Sequence, residues 1–319
     1  MNTDKRGFEF SFAWLFAIIV GAVILFLALY FSTGIIRGTS YQRDTEIAKE
    51  LTLLFDPFAT GFAETKIDTI TLPVETRVLN ACSTKGVFGS QLISSSQHSL
   101  GKWSEPGGEI AVNNRYVFSR EIEDGKKFFL FSKNFEMPFK ASEIIILSSG
   151  KYCFKNMPDH VEDALRNLNL EDIEIGNCSF GSVTVCPSSG CDVQVADLCR
   201  TGIFCEREYN YGYVMRKGST KKMYYSGNLL YSAIFSDPDI YECNVKRLAQ
   251  KITELSKLYR DQNAFNDFCG TTLEAPLLQL AQNAQSLRGS VDLASLLDDA
   301  RAVREVHDGL QEDCRVWAR

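Results

Sequence analysis

Apolar residues run without a break from residue 10 to residue 36, FSFAWLFAIIVGAVILFLALYFSTGII, and no charged side chain stands between Glu9 and Arg37. At about 1.5 Å rise per residue, the part from 12 to 30 would extend roughly 28 Å, close to the hydrocarbon thickness of a bilayer. Twelve of those nineteen positions are Leu, Ile, Val or Phe. Together they favour insertion by on the order of 5 kcal/mol. The pattern predicts a transmembrane helix over residues 10–36, flanked by a cytoplasmic stretch, 1–9.

The pattern then becomes amphipathic over residues 37–64. Ile47, Leu51, Leu54, Phe55 and Phe58 recur on one face of a 3.6-residue period, which predicts a juxtamembrane helix over 45–58. Gly34 and Gly38 are expected to loosen the end of the membrane helix, and Pro57 and Gly61 to close the second one. Its apolar face is expected on the soluble domain; a lipid surface or a copy of itself is the alternative.

From 65 to 155 the period falls to two. Strands are predicted around 67–71, 110–112, 115–119, 128–131 and 144–147, with turns at 105–109 and 123–126. Asp124-Gly125 carries a hairpin signal, so the sheet is expected to be largely antiparallel. Residues 156–235 read as a cysteine-rich α+β region, with a helix over 158–168, strands near 172–175, 182–185, 192–195 and 208–215, and a meander among them. Helices return over 236–319, packed as a bundle. Ser236-Asp-Pro-Asp239 has capping-box spacing with Ser236 as N-cap. Val245, Leu248, Ile252, Leu255 and Tyr259 form the stripe that follows, and further helices are expected near 273–287 and 291–317. The fold class is α+β, stapled by disulfides.

Charge changes this picture little. The net charge of −6 over 319 residues is spread without a basic block, so a nucleic-acid partner is not expected. Cysteine changes it more. All ten cysteines, Cys82, Cys153, Cys178, Cys186, Cys191, Cys199, Cys205, Cys243, Cys269 and Cys314, follow the apolar run. So many suit an oxidising space. The expected topology therefore has the N-terminus in the cytoplasm and the C-terminal region outside, in contact with membrane lipid and with other surface proteins, membrane proteins or copies of itself. Cys243, Cys269 and Cys314 are placed to staple the helices.

The apolar run is too long for a conventional cleaved signal, whose core spans about 7–15 residues, and an uncleaved signal-anchor fits it. Lys5-Arg6-Gly7 followed by Phe8 and a long apolar helix also resembles the class III signal of type IV pilin-like proteins. That resemblance implies cleavage between Gly7 and Phe8. Such signals usually carry Glu at the fifth mature position, where this chain has Phe12; its acid is Glu9. The departure weakens an assembly role more than it weakens membrane residence.

Candidate chemistry is sparse. Cys186-Pro-Ser-Ser-Gly-Cys191 reads as a small disulfide-closed loop. A zinc site built from Cys186, Cys191, Cys199 and Cys205 would have gaps wider than the usual knuckle. No metal or cofactor is expected. Asn177-Cys178-Ser179 is the single glycosylation acceptor sequence. Three histidines are present: His98 in a polar run read as a loop, His160 among acids at a helix start, and His307 between acids on a face read as exposed. Nucleophile elbow, P-loop and HExxH patterns are missing from the sequence. Tyr209, Tyr211, Tyr213, Tyr224, Tyr225 and Tyr231 read as half-buried sheet residues, with a sugar- or protein-binding face as the other reading.

Three stretches, NNRYVFS at 113–119, PFKASEIIIL at 138–147 and YSAIFSDPDIYECNVKRL at 231–248, are similar to a group of uncharacterised archaeal membrane-anchored surface proteins. The resemblance implies a cell-surface location and transfers no site residue. The expectation is a structural or interaction protein rather than an enzyme. A membrane-tethered envelope hydrolase and a subunit of a membrane complex are the alternatives.

Overall fold

The computed structural model describes residues 12–59, 65–99, 101–198, 210–264 and 270–317. Its first element, α1 (Phe12–Ala59), is a single helix of 48 residues. The expected loosening at Gly34 and Gly38 does not occur, and the backbone stays helical through both. Each glycine costs only about 1 kcal/mol, and helix propagation on both sides carries that cost. Pro57 lies inside the helix, two residues before it ends at Ala59.

The two halves of α1 meet different surroundings. Phe12–Ser32 is long and apolar enough to cross a membrane, and none of it is buried against the protein. The C-terminal half sets Leu51, Phe55 and Phe58 into a cluster with Val78, Ile93, Phe128, Leu130, Ile145 and Leu147. These are the positions that the 3.6-residue period selects.

That cluster is one face of a seven-stranded sheet. Its strands are β1 (Ile67–Ser83), β2 (Ser90–Ser99), β3 (Lys102–Trp103), β4 (Ile110–Asn113), β5 (Tyr116–Phe118), β6 (Ile122–Glu136) and β7 (Lys140–Ser148). They lie in the order β3-β2-β1-β6-β7-β5, with β4 also on β2. Only β5 with β7 is parallel. Pro73, which has no N–H to give a ladder, falls inside the register shift between Thr71 and Thr76 of β1.

Two sequence expectations fail in this sheet. Asp124-Gly125 is no hairpin; both residues lie within β6 and pair with Arg77 and Thr76 of β1. A bidentate contact from Arg77 to Asp124, 2.8 Å on each arm, holds Asp124 in the strand against its turn preference. The polar run around His98 is likewise strand rather than loop, and Ser94, Ser95 and Ser96 of β2 are buried.

The second sheet contains β8 (Tyr152–Phe154), β9 (Ile173–Ile175), β10 (Val183–Cys186), β11 (Val193–Asp197), β12 (Tyr211–Arg216) and β13 (Lys222–Ser226), with α2 (Asp159–Arg166) between β8 and β9. The order is β13-β12-β11-β10-β8-β9. β8 runs parallel to both β9 and β10, and β10 to β11, so a meander exists only from β11 onward. Helix α2 supplies the crossover that parallel β8 and β9 require.

A helix with no counterpart among the predicted elements, α3 (Leu229–Phe235), follows β13, and all seven of its residues are buried. A helix apolar on every side belongs in a core. It contacts β7 and β5 of the first sheet and β12 and β13 of the second. Ser236 therefore ends α3 instead of capping the next helix; its hydroxyl is buried without a partner, while its carbonyl accepts from Arg216.

Among the described residues three α-helices follow: α4 (Pro238–Ala264), α5 (Glu274–Gln285) and α6 (Leu293–Gly309). Val245, Leu248 and Ile252 of the α4 stripe are buried, with Leu255 and Tyr259 packed beside them. The last helix stops at Gly309 rather than reaching residue 317, because the chain turns extended at Leu310. Trp317 then returns onto the body, its ring stacked 3.6 Å from that of His307. His307 is consequently buried, not exposed. One apolar cluster draws on both sheets, on α2 and α3, and on all three C-terminal helices.

Candidate functional site

Two features could serve a function: the seam that fixes α1 to the body, and a polar cleft on the opposite side of the first sheet's β6 strand.

The seam is built where β2 and the loop after β3 approach α1. Asp44 is fully buried there. Its carboxylate accepts from Ser104 Oγ at 2.6 Å, and its carbonyl accepts from Ser95 Oγ at 2.7 Å. Burial raises the Asp44 pKa against the lowering effect of the Ser104 bond. Gly108 N donates to Thr45 Oγ1 at 2.8 Å, and Gly107 N to the Ser95 carbonyl at 2.9 Å. Gly107 has to be glycine for steric reasons, since a Cβ there would stand 2.4 Å from the Thr45 nitrogen. The buried Ser95 of β2 is thus explained: a short hydroxyl side chain lets the helix come close and satisfies one of its polar groups.

The cleft holds about 360 Å³. The end of β6 contributes Lys133, Asn134, Phe135 and Glu136; the start of α2 contributes His160 and Val161; Thr65 stands just before β1 and Asn210 just before β12, and Ser226, Gly227, Asn228, Leu230 and Tyr231 complete the lining. Gly227, at φ +55°, makes the tight passage from β13 into α3. Its N–H donates to the Asn210 carbonyl at 2.9 Å. Asn228 Nδ2 donates to the Asn134 carbonyl at 2.9 Å, tying the two walls together. The Asn210 amide lies 3.0 Å from His160 Nε2. Lys133 Nζ sits 5.5 Å from the centre of the Tyr231 ring. Asn134 Oδ1 is buried without a hydrogen-bond partner.

The residues singled out in the sequence scatter across the molecule. Cys82 is bonded to Cys243, Cys153 to Cys178, and Cys186 to Cys191. The last pair forms the expected small loop and removes both sulfurs from any zinc set. Cys243 does not staple the helices together; it joins α4 to β1. Cys314 is also disulfide-bonded, while Cys199, Cys205, Cys269, Gly7, Phe8 and Tyr209 lie outside the described residues. Asn177 is exposed, but its acceptor sequence is tied down by the Cys178 bond and by Ser179, which donates twice to Glu174. His98 Nδ1 lies 3.4 Å from Glu75 and its ring packs on Trp103. Tyr211 stacks on Tyr224 at 6.1 Å and Tyr213 meets Tyr224 edge-on at 5.9 Å, all three half-buried as expected. Tyr225 and Tyr231 are buried.

Among the three histidines only His160 reaches the cleft. Asn134, Asn210 and Asn228 had no sequence signal, because they come from three separate segments and asparagine is common in turns. Compared with known protein families, curated proteins and solved structures, the chain matches none.

Proposed function

We propose that this chain is a single-pass membrane protein whose body stands outside the cytoplasm and serves a structural or interaction role at the cell surface. The observation that supports this reading above others is the continuity of α1. One uninterrupted helix carries an exposed apolar half and a half sealed into the body by Asp44, Thr45, Leu51, Phe55 and Phe58. A span joined to its domain by a flexible linker holds the domain loosely; a span continuous with a packed helix fixes its orientation to the bilayer. Disulfides persist in oxidising compartments, and the bonded cysteines all lie on the C-terminal side of the span. This favours a cytoplasmic N-terminus.

An archaeal, pilin-like origin belongs to the same proposal. Cleavage after Gly7 would leave α1 on the mature protein, free to contact lipid, another membrane protein or a second copy. The hydrolase reading gains less support, because His160 meets an amide and not a carboxylate that would orient it as a base.

Membrane fractionation with thiol labelling tests the proposal. The chain is expected in the membrane fraction, with cysteines that react only after reduction. A soluble chain whose cysteines label without reductant would refute it. Mass analysis of the mature N-terminus then separates a start at Phe8 from an uncleaved anchor.

A further inference from the structure

We propose that the cleft between β6, α2 and the β13–α3 turn binds a neutral, hydroxyl-rich ligand, a short saccharide. Its volume of about 360 Å³ falls at the low end of the range for small-molecule sites, roughly 300–1,000 Å³. The lining sets the ligand class. Asn134, Asn210, Asn228 and His160 line one space. Each primary amide offers both donors and an acceptor, the mixed pattern that sugar hydroxyls, themselves donors and acceptors, can match. The charged residues on the rim, Lys133 and Glu136, are of opposite sign. The cleft therefore has no excess of positive charge to select a phosphate or an acidic peptide.

The apolar part of the lining fits the same ligand. Phe135, Val161, Leu230 and Tyr231 form the floor, and C–H faces of a sugar ring pack on such surfaces while its hydroxyls face the amides.

The site is also built in advance. The Asn228 bond to the Asn134 carbonyl joins β6 to the β13–α3 turn, and the Asn210–His160 contact joins β12 to α2. Four elements thus hold the amides in place before any ligand binds, which limits the ordering cost of association. An extended peptide would instead seek a free strand edge; along Lys133–Glu136 one side of β6 is paired with β7, and the Asn134 carbonyl is already taken by Asn228.

The test uses the full chain in a polyethylene glycol ether detergent, since maltoside headgroups would compete. Saturation-transfer NMR and calorimetry would be run with the methyl glycosides of glucose, mannose and N-acetylglucosamine, with a β-1,4-linked disaccharide, with inorganic phosphate and with a neutral tetrapeptide. Binding of at least one neutral sugar is expected, weakened about three- to tenfold by Asn210→Ala and by His160→Ala, the loss of one hydrogen bond each. Asn228→Leu, which replaces a lining amide with an apolar group, is expected to abolish it, and Lys257→Ala, remote from the cleft, to leave it unchanged. Unchanged thermal unfolding shows that each variant is folded, and the two alanine variants keep the test valid if the leucine variant is not. The proposal is overturned if no sugar binds to the folded protein, if cleft variants bind as the parent does, or if phosphate or the tetrapeptide binds more tightly than every sugar.

Discussion

Arg247 in α4 donates to the side chain of Gln91 in β2 at 3.0 Å, and neither residue reaches solvent. The guanidinium also donates to Asn244 Oδ1 at 2.7 Å and to the Phe88 carbonyl at 3.0 Å, and it lies 4.7 Å from the centre of the Tyr116 ring. All these hydrogen-bond partners are uncharged. Burial accordingly lowers the Arg247 pKa to about 10. The group still stabilises the fold, because it satisfies three acceptors that would otherwise be stranded in the core. Arg247→Ala is expected to destabilise by about 3–5 kcal/mol, through lost bonds and a cavity. Arg247→Met, which refills part of the volume, should cost less. Urea unfolding checks both, and an alanine variant within about 1 kcal/mol of the parent would contradict the account.

Four residues before Arg247, Cys243 is bonded to Cys82 across a sequence separation of 161. Cys186 and Cys191 are separated by only 5. If chain entropy dominates, the long closure restricts the unfolded chain far more than the short one. Replacing Cys82 and Cys243 by alanine together should cost about 2–5 kcal/mol, and replacing Cys186 and Cys191 distinctly less. Comparing the two double variants by thermal unfolding decides it; an equal or reversed order would place the stabilisation in local geometry instead.

The sequence exposed the elements whose pattern arises locally. The run at 12–32, the face Leu51-Phe55-Phe58 and the stripe Val245-Leu248-Ile252 each follow from burial of one side of a regular helix, and all three appear in the structure. The misses share a different cause, which is long-range contact overriding local preference. Asp124-Gly125 has turn chemistry, yet Arg77, 47 positions away in sequence, holds it in a strand. Ser94, Ser95 and Ser96 look like a solvated loop, but they lie in a strand and are buried, Ser95 against α1. His307 stands between acids, yet it is buried, with the Trp317 ring stacked on its own. The cleft was hidden for the same reason: Asn134, Asn210 and Asn228 form a group only after β6, β12 and α3 have packed.

Asp172 introduces a pH dependence. The residue is buried, its Oδ1 has no partner, and burial pushes its pKa up to about 7, helped by Glu123 and Glu171 and opposed by Lys127. Unfolded, the same carboxyl titrates near about 4. Between those values the folded protein holds a proton that the unfolded chain has released. Stability from this group is therefore complete below about pH 4 and is lost as pH rises through about 7, at up to ~1.4 kcal/mol per pH unit. Asp172→Asn should remove that slope and raise stability at pH 8. Unfolding free energies measured from pH 4.5 to 8 check the sign; a parent protein that gains stability from Asp172 across this range would refute it.

The coupling of the membrane helix to the body has its own test at Gly107. A methyl group there would lie 2.4 Å from the Thr45 nitrogen and 2.7 Å from the Asp44 carbonyl carbon, both backbone atoms that cannot swing aside. Gly107→Ala should therefore push the loop after β3 away from α1. That would strain the Gly108 bond to Thr45 and the Ser104 bond to the buried Asp44 carboxylate. A cost of about 1–3 kcal/mol is expected for such overpacking, concentrated at the seam because the larger core lies on the other face of the sheet. Hydrogen exchange should then quicken in residues 41–48 and in β2 while the amides of α4 keep their protection. Equal loosening of both regions would mean that α1 and the body unfold as one unit, and no change at all would mean that the seam does not hold the helix.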